Sequence, residues 1–110
     1  MRWLAGKTVI LADTPHSDVD VPSCLSANVW DIRPCAAVRK RALSGHAVME
    51  RQAAELAGVA MIDLAARICT ETPCQAVVDN MIVFRDTHHL TATFSRSLGR
   101  DLERLLDQVR

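Results

Sequence analysis

Asp86-Thr87-His88-His89 is the stretch whose residue types and spacing best fit chemistry. An Asp-x-x-His run can set a carboxylate against one imidazole nitrogen. That pairing fixes the ring's tautomer and raises its basicity, as the acid of a serine-type triad does. The other nitrogen can then take a proton from a hydroxyl nucleophile, a step that contributes roughly 10²–10⁴ in rate. A plainer reading fits the same residues, with Asp86 as a turn or capping residue and both histidines as surface polar groups. Adjacent histidines also suggest a metal. Neighbouring side chains rarely aim both rings at one ion, however, and no third ligand is close in sequence, so no metal is assigned. His16 and His46 are isolated, in a loop and at a helix start, and receive no role.

Four cysteines fall as local pairs, Cys24 with Cys35 and Cys69 with Cys74. Neither spacing is the Cys-x-x-Cys of zinc or thioredoxin-like sites. Each pair lies beside proline and turn residues, which favours two loop-closing disulfides. Loop closure would contribute roughly 3 kcal/mol for the longer loop and about 2 for the shorter. Four buried free thiols are the alternative, and metal binding the third. Disulfides imply an oxidising compartment. Yet the N-terminus, Met1-Arg2-Trp3-Leu4-Ala5-Gly6-Lys7, lacks the apolar core of a secretory signal, and no apolar run is long enough to span a bilayer. The chain reads as soluble with no export address of its own, and the conflict suggests a piece of something longer.

The elements that must position these residues alternate between strand and helix. Lys7 to Ala12 is a short apolar strand ending at Asp13-Thr14-Pro15. Residues 13 to 34 hold three prolines and little periodicity, and read as one long loop stapled by Cys24 and Cys35. A short helix over 36–43 breaks at Ser44-Gly45. A second runs from His46 to Ala57 with Met49, Ala53, Leu56 and Ala57 at helical spacing, and Gly58 caps it. Val59 to Ile62 follows as a buried strand, which makes the second half of a β-α-β crossover and implies a parallel sheet. Asp63 then sits at the strand's carboxyl end, where open α/β sheets bind ligands. Leu64 to Cys69 can form one helical turn. Two apolar runs, 75–78 and 81–84, flank the turn pair Asp79-Asn80. Thr91 is a helix N-cap, and Phe94, Leu98, Leu102, Leu105, Leu106 and Val109 form one apolar stripe of a long C-terminal helix.

With 110 residues the chain is one domain at most, able to bury roughly 65% of its unfolded surface. Thirteen basic and thirteen acidic residues cancel, and there is no tyrosine and only two phenylalanines and two tryptophans. Neither a broad positive field nor an aromatic stacking platform marks a nucleic-acid partner. At 49% hydrophobic the chain is too apolar for intrinsic disorder.

The segment from Cys69 through Cys74 and on from Val77 to Phe94, above all Arg85-Asp86-Thr87-His88-His89-Leu90-Thr91, resembles the C-terminal end of an SGNH domain. The closest likeness is to the SGNH domain fused behind the integral-membrane acyltransferase-three domain of bacterial O-acyltransferases. Residues 7–15, Cys24 and Cys35 resemble that family's penultimate strand and loop. The resemblance implies a partial three-layer, flavodoxin-like α/β fold with a mostly parallel sheet. It makes residues 1–110 the C-terminal segment of a single domain whose N-terminal half is absent. Carried over, Asp86 and His89 match the triad's acid and base. The family's Gly-Asp-Ser nucleophile block has no counterpart here, and Ser44-Gly45 and Asn80 do not stand in the contexts of its Gly and Asn blocks. A base without nucleophile or oxyanion hole cannot complete acyl transfer.

Two functions follow. The first is a fragment of an extracytoplasmic O-acyltransferase or esterase, inactive alone and needing no cofactor. Its parent would use an acyl donor, an envelope carbohydrate and a membrane acyltransferase domain at the outer face of the bacterial membrane. The other is a non-catalytic, disulfide-stapled α/β module that binds a partner through the loop at 13–34.

Overall fold

The strand Val9–Leu11 (β1) pairs in parallel with Ala60–Ile62 (β2), in the register Val9 with Ala60, Ile10 with Met61 and Leu11 with Ile62. This computed structural model describes residues 8–109. The Ala12 N–H extends the ladder by donating to the Ile62 carbonyl at 2.8 Å. Parallel neighbours need a crossover. Here it holds the helices Val21–Ala27 (α1), Arg39–Ala42 (α2) and Val48–Ala57 (α3), with a 3₁₀ turn at Arg33–Cys35. Gly58 ends α3 with φ +67°, and the Val59 N–H reaches back to the Ala54 carbonyl at 3.0 Å. A left-handed residue at that point is the usual Schellman stop, and it turns the chain directly into β2.

After β2 come the short helix Ala65–Ile68 (α4) and an antiparallel hairpin of Val77–Val78 (β3) and Met81–Ile82 (β4). Asp79 and Asn80 both have positive φ, 50° and 64°. Two left-handed central residues make a turn whose twist matches that of a hairpin, and Asp and Asn tolerate that region best after glycine. The hairpin stands apart from the parallel pair, so the parallel sheet is small. The chain closes with helices Ala92–Ser97 (α5) and Gly99–Val109 (α6).

Val21, Cys35, Ile68, Ala76, Val83, Phe84, Phe94 and Leu98 form the main core, and Ala37, Ala42, Cys69 and Cys74 a smaller one. Cys24 is bonded to Cys35 and Cys69 to Cys74, with Cα separations of 5.7 and 4.6 Å. Each bridge ties a neighbouring loop to a core that these few elements only partly enclose.

Three details differ from the sequence reading. The expected long loop at 13–34 contains α1 and the 3₁₀ turn. The Asp20 carboxylate accepts the Ser23 N–H at 3.2 Å, and Pro22 stands in the first turn, where a missing N–H costs nothing. The expected inward stripe of α3 faces outward, with Met49 78% and Leu56 91% exposed. Ala47 and Ala54 are buried in its place, small residues that let the helix come close to its neighbours. The C-terminal helix breaks at Leu98 (φ −80°, ψ −6°), where the Ser97 hydroxyl donates to the Phe94 carbonyl at 2.6 Å and Gly99 follows. A hydroxyl competing for backbone groups beside a weak helix former makes this the place for an interruption.

Candidate active site

The loop between β4 and α5 is shaped by one carboxylate. Asp86 Oδ1 accepts the backbone N–H groups of His88 at 2.8 Å and His89 at 2.7 Å. The Arg85 N–H donates to the His89 carbonyl at 2.8 Å, and Phe84 pairs with Leu90 across the base. Thr91 locks the loop to both flanking elements. Its N–H donates to the Val83 carbonyl, its hydroxyl donates to that of Ile82 at 2.6 Å, and the same oxygen accepts the Phe94 N–H to cap α5. Buried Phe84 and Phe94 anchor the two ends.

On this frame Asp86 Oδ2 lies 2.7 Å from His89 Nδ1. The turn-capping role and the imidazole-pairing role therefore coexist, one on each carboxylate oxygen. The His88 N–H, foremost, holds the Asp86 carboxyl well below the usual carboxylate range; desolvation opposes it, and the His89 N–H and imidazole add to the lowering. The ionised acid keeps the proton on Nδ1 and leaves Nε2 as the basic atom. His89 Nε2 makes no hydrogen bond among the described residues.

His89 borders a shallow cleft of about 460 Å³ shared with Asp13, Thr14, Arg85, His88 and Ser95. Asp13 and Thr14 follow the carboxyl end of β1, so the cleft opens at that edge of the parallel pair. The Ser17 N–H donates to the Thr87 carbonyl at 2.6 Å and fastens the loop after β1 to the histidine loop. Among the described residues no serine, threonine or cysteine side chain bonds to His89. Such a pair can orient and accept a proton, and among the described residues no hydroxyl or thiol is hydrogen-bonded to its imidazole.

His88 is not turned away, as adjacency alone would suggest. Its ring centre is 4.3 Å from that of His89, and its Nδ1 meets the Thr87 hydroxyl at 2.9 Å. Ligand atoms of Asp86, His88 and His89 lie within 4.8 Å of one another, so the two neighbouring rings come closer together here than their adjacency led one to expect. His89 Nδ1 is nevertheless engaged in its hydrogen bond to Asp86.

Sequence reasoning missed a second acid–imidazole pair. His46 Nε2 sits 3.0 and 3.1 Å from the two oxygens of Asp63, which also accepts the Ala65 N–H at 2.9 Å. His46 is only 12% exposed at its side chain and borders a small polar pocket with Asp13, Thr14, His16, Ser44 and Glu50. Asp63 at the end of an apolar strand was legible. Its partner, 17 residues earlier, is brought there by the left-handed turns at Gly45 and Ala47 (φ 65° and 60°), and no local pattern announces it.

Among the described residues no helix is long and apolar enough to cross a membrane. Compared with protein-family models, residues 1–104 match the SGNH domain described as fused to AT3 domains. Neither curated proteins nor solved structures gave a match.

Proposed function

The chain belongs to the family of SGNH domains fused to AT3 domains, an esterase- and acyltransferase-like family, and from that premise we propose that it carries the acid and base of a Ser-His-Asp triad, Asp86 and His89. In this reading residues 1–110 are the C-terminal segment of one domain, and the nucleophilic serine and oxyanion donors come from a preceding half. The parent protein moves an acyl group onto or off an envelope carbohydrate at the extracytoplasmic face of the bacterial membrane. Its AT3 membrane domain is the partner that supplies acyl groups. His89 Nε2 takes the proton of the attacking hydroxyl and returns it to the leaving oxygen. Asp86 stays ionised and stabilises the imidazolium. The chain alone has the base and no nucleophile, and is inactive.

The observation that carries this reading is the 2.7 Å contact of His89 Nδ1 with Asp86 Oδ2, with Nε2 left free beside the cleft. Substitution in the enzyme that contains this chain tests it. His89→Ala should abolish acyl transfer, Asp86→Asn should lower it by roughly 10⁴-fold, and His88→Ala should be mild. An essential His88 with a dispensable His89 would refute the assignment.

A further inference from the structure

We infer that the disulfide-bridged loop bearing Val29, Trp30 and Ile32 is a bilayer contact, placing its apolar tip at the boundary between lipid headgroups and acyl chains. The inference draws on family membership and not on the roles given to Asp86 and His89. Trp30 is 98% exposed, Val29 65% and Ile32 39%. Three large apolar side chains within four residues, none of them packed away, make an exposed patch of the kind that marks a contact.

The tip is braced. Cys24 and Cys35 close its base, and neighbouring Val19, Cys24 and Leu25 pack on the main core. Asn28 Nδ2 donates to the Cys24 carbonyl at 2.8 Å, the Asp31 N–H to the Asn28 carbonyl at 3.0 Å, and the Cys35 N–H to the Ile32 carbonyl at 2.9 Å. The side chains are therefore presented with little conformational freedom left to lose on insertion. The only charges within the tip neutralise each other. Arg33 grips Asp31 through Nε to Oδ1 at 2.9 Å and a terminal nitrogen to Oδ2 at 2.7 Å. The Arg33 guanidinium also holds the Asp31 carboxyl down to about 2, so the pair stays charged on both sides and net neutral near neutral pH.

Chemistry and placement select lipid over a protein partner. An indole exposed on nearly its whole surface is a convex knob. A protein must offer a matching pocket to take it, whereas the fluid interface accepts the apolar ring and leaves the N–H in the wet headgroup layer. Fusion to an AT3 membrane domain keeps a domain of this family within reach of a bilayer. A neutral tip also needs no anionic lipid.

The test uses the full oxidised chain with Trp3→Phe, so that Trp30 alone emits, and vesicles of neutral phosphatidylcholine. The chain should float with the vesicles, and its emission should shift to the blue. Trp30→Ala should weaken partitioning at least tenfold, Val29→Ser with Ile32→Ser should also weaken it, and anionic lipid should change it less than twofold. These side chains are exposed, so the variants keep the fold. Failure to float, or flotation unchanged by Trp30→Ala, overturns the inference. So does binding only to a detergent-solubilised AT3 domain, which would make the tip a protein contact.

Discussion

Asp86 divides its two oxygens between holding the loop and holding the imidazole, and its acidity follows from the first task. Backbone N–H groups cannot move away on protonation, so they favour the anion strongly. Because the folded-state pKa is depressed, the anion's stabilisation of the loop is fully present above the ordinary value near 3.9. It is lost only as pH falls through the lower, folded value. The Asp86 carboxyl carbon resonance should therefore stay unchanged from pH 7 down to about 3, well under that ordinary midpoint. A midpoint at the ordinary value would show that the N–H contacts are not formed. The second pair behaves differently because it is more buried. His46→Ala leaves Asp63 short of a partner and should cost about 1–3 kcal/mol in urea unfolding. His89→Ala, at an exposed ring, should cost less than about 0.5 kcal/mol. Equal costs would mean that the two pairs are not divided between holding the fold and serving the cleft.

At the scale of elements, the helix break at Leu98 offers the cleanest test of local propensity. Gly99 begins α6 without a left-handed φ, and an added Cβ would meet nothing within 4 Å. Gly99→Ala should stabilise the protein by about 0.4–1 kcal/mol in thermal unfolding, mainly by restricting the unfolded chain. A loss would show that glycine is needed at the junction of α5 and α6. The elements also show what was legible in the sequence. β2, the stop at Gly58, the Asp79-Asn80 turn and the Thr91 cap all rest on local chemistry, and each lies where local chemistry puts it. The α1 helix was hidden because Pro22 reads as a breaker until Asp20 is recognised as its cap. The outward stripe of α3 was misjudged because periodicity gives a face without saying which neighbour it meets. Asp86 and His89 were legible because they stand only three positions apart, and His46 with Asp63 was not because only the tertiary turn joins them.

The molecule as a whole is open. Its radius of gyration is 15.7 Å, against about 13 Å for a compact domain of this length, and its extents are 53 × 25 × 21 Å. Leu11 on β1 is 52% exposed, and beyond Leu98 the C-terminal stripe, Leu102, Leu105, Leu106 and Val109, is only half-covered. Leu11 leaves one apolar strand side open, a surface that a further segment of a larger domain would cover. The cleft beside His89 is bounded by the β1 edge, the histidine loop and the start of α5. The central claim is that the chain supplies the acid–base half of an active site completed by another segment. It is tested most directly by turnover of an activated acetyl ester, measured on the chain alone and after addition of the segment that carries the Gly-Asp-Ser block. The account predicts no catalysis by the chain alone beyond that of free imidazole, restored turnover in the mixture, and loss of that turnover with His89→Ala. Full turnover by the chain alone, or a mixture that stays active with His89→Ala, would contradict it.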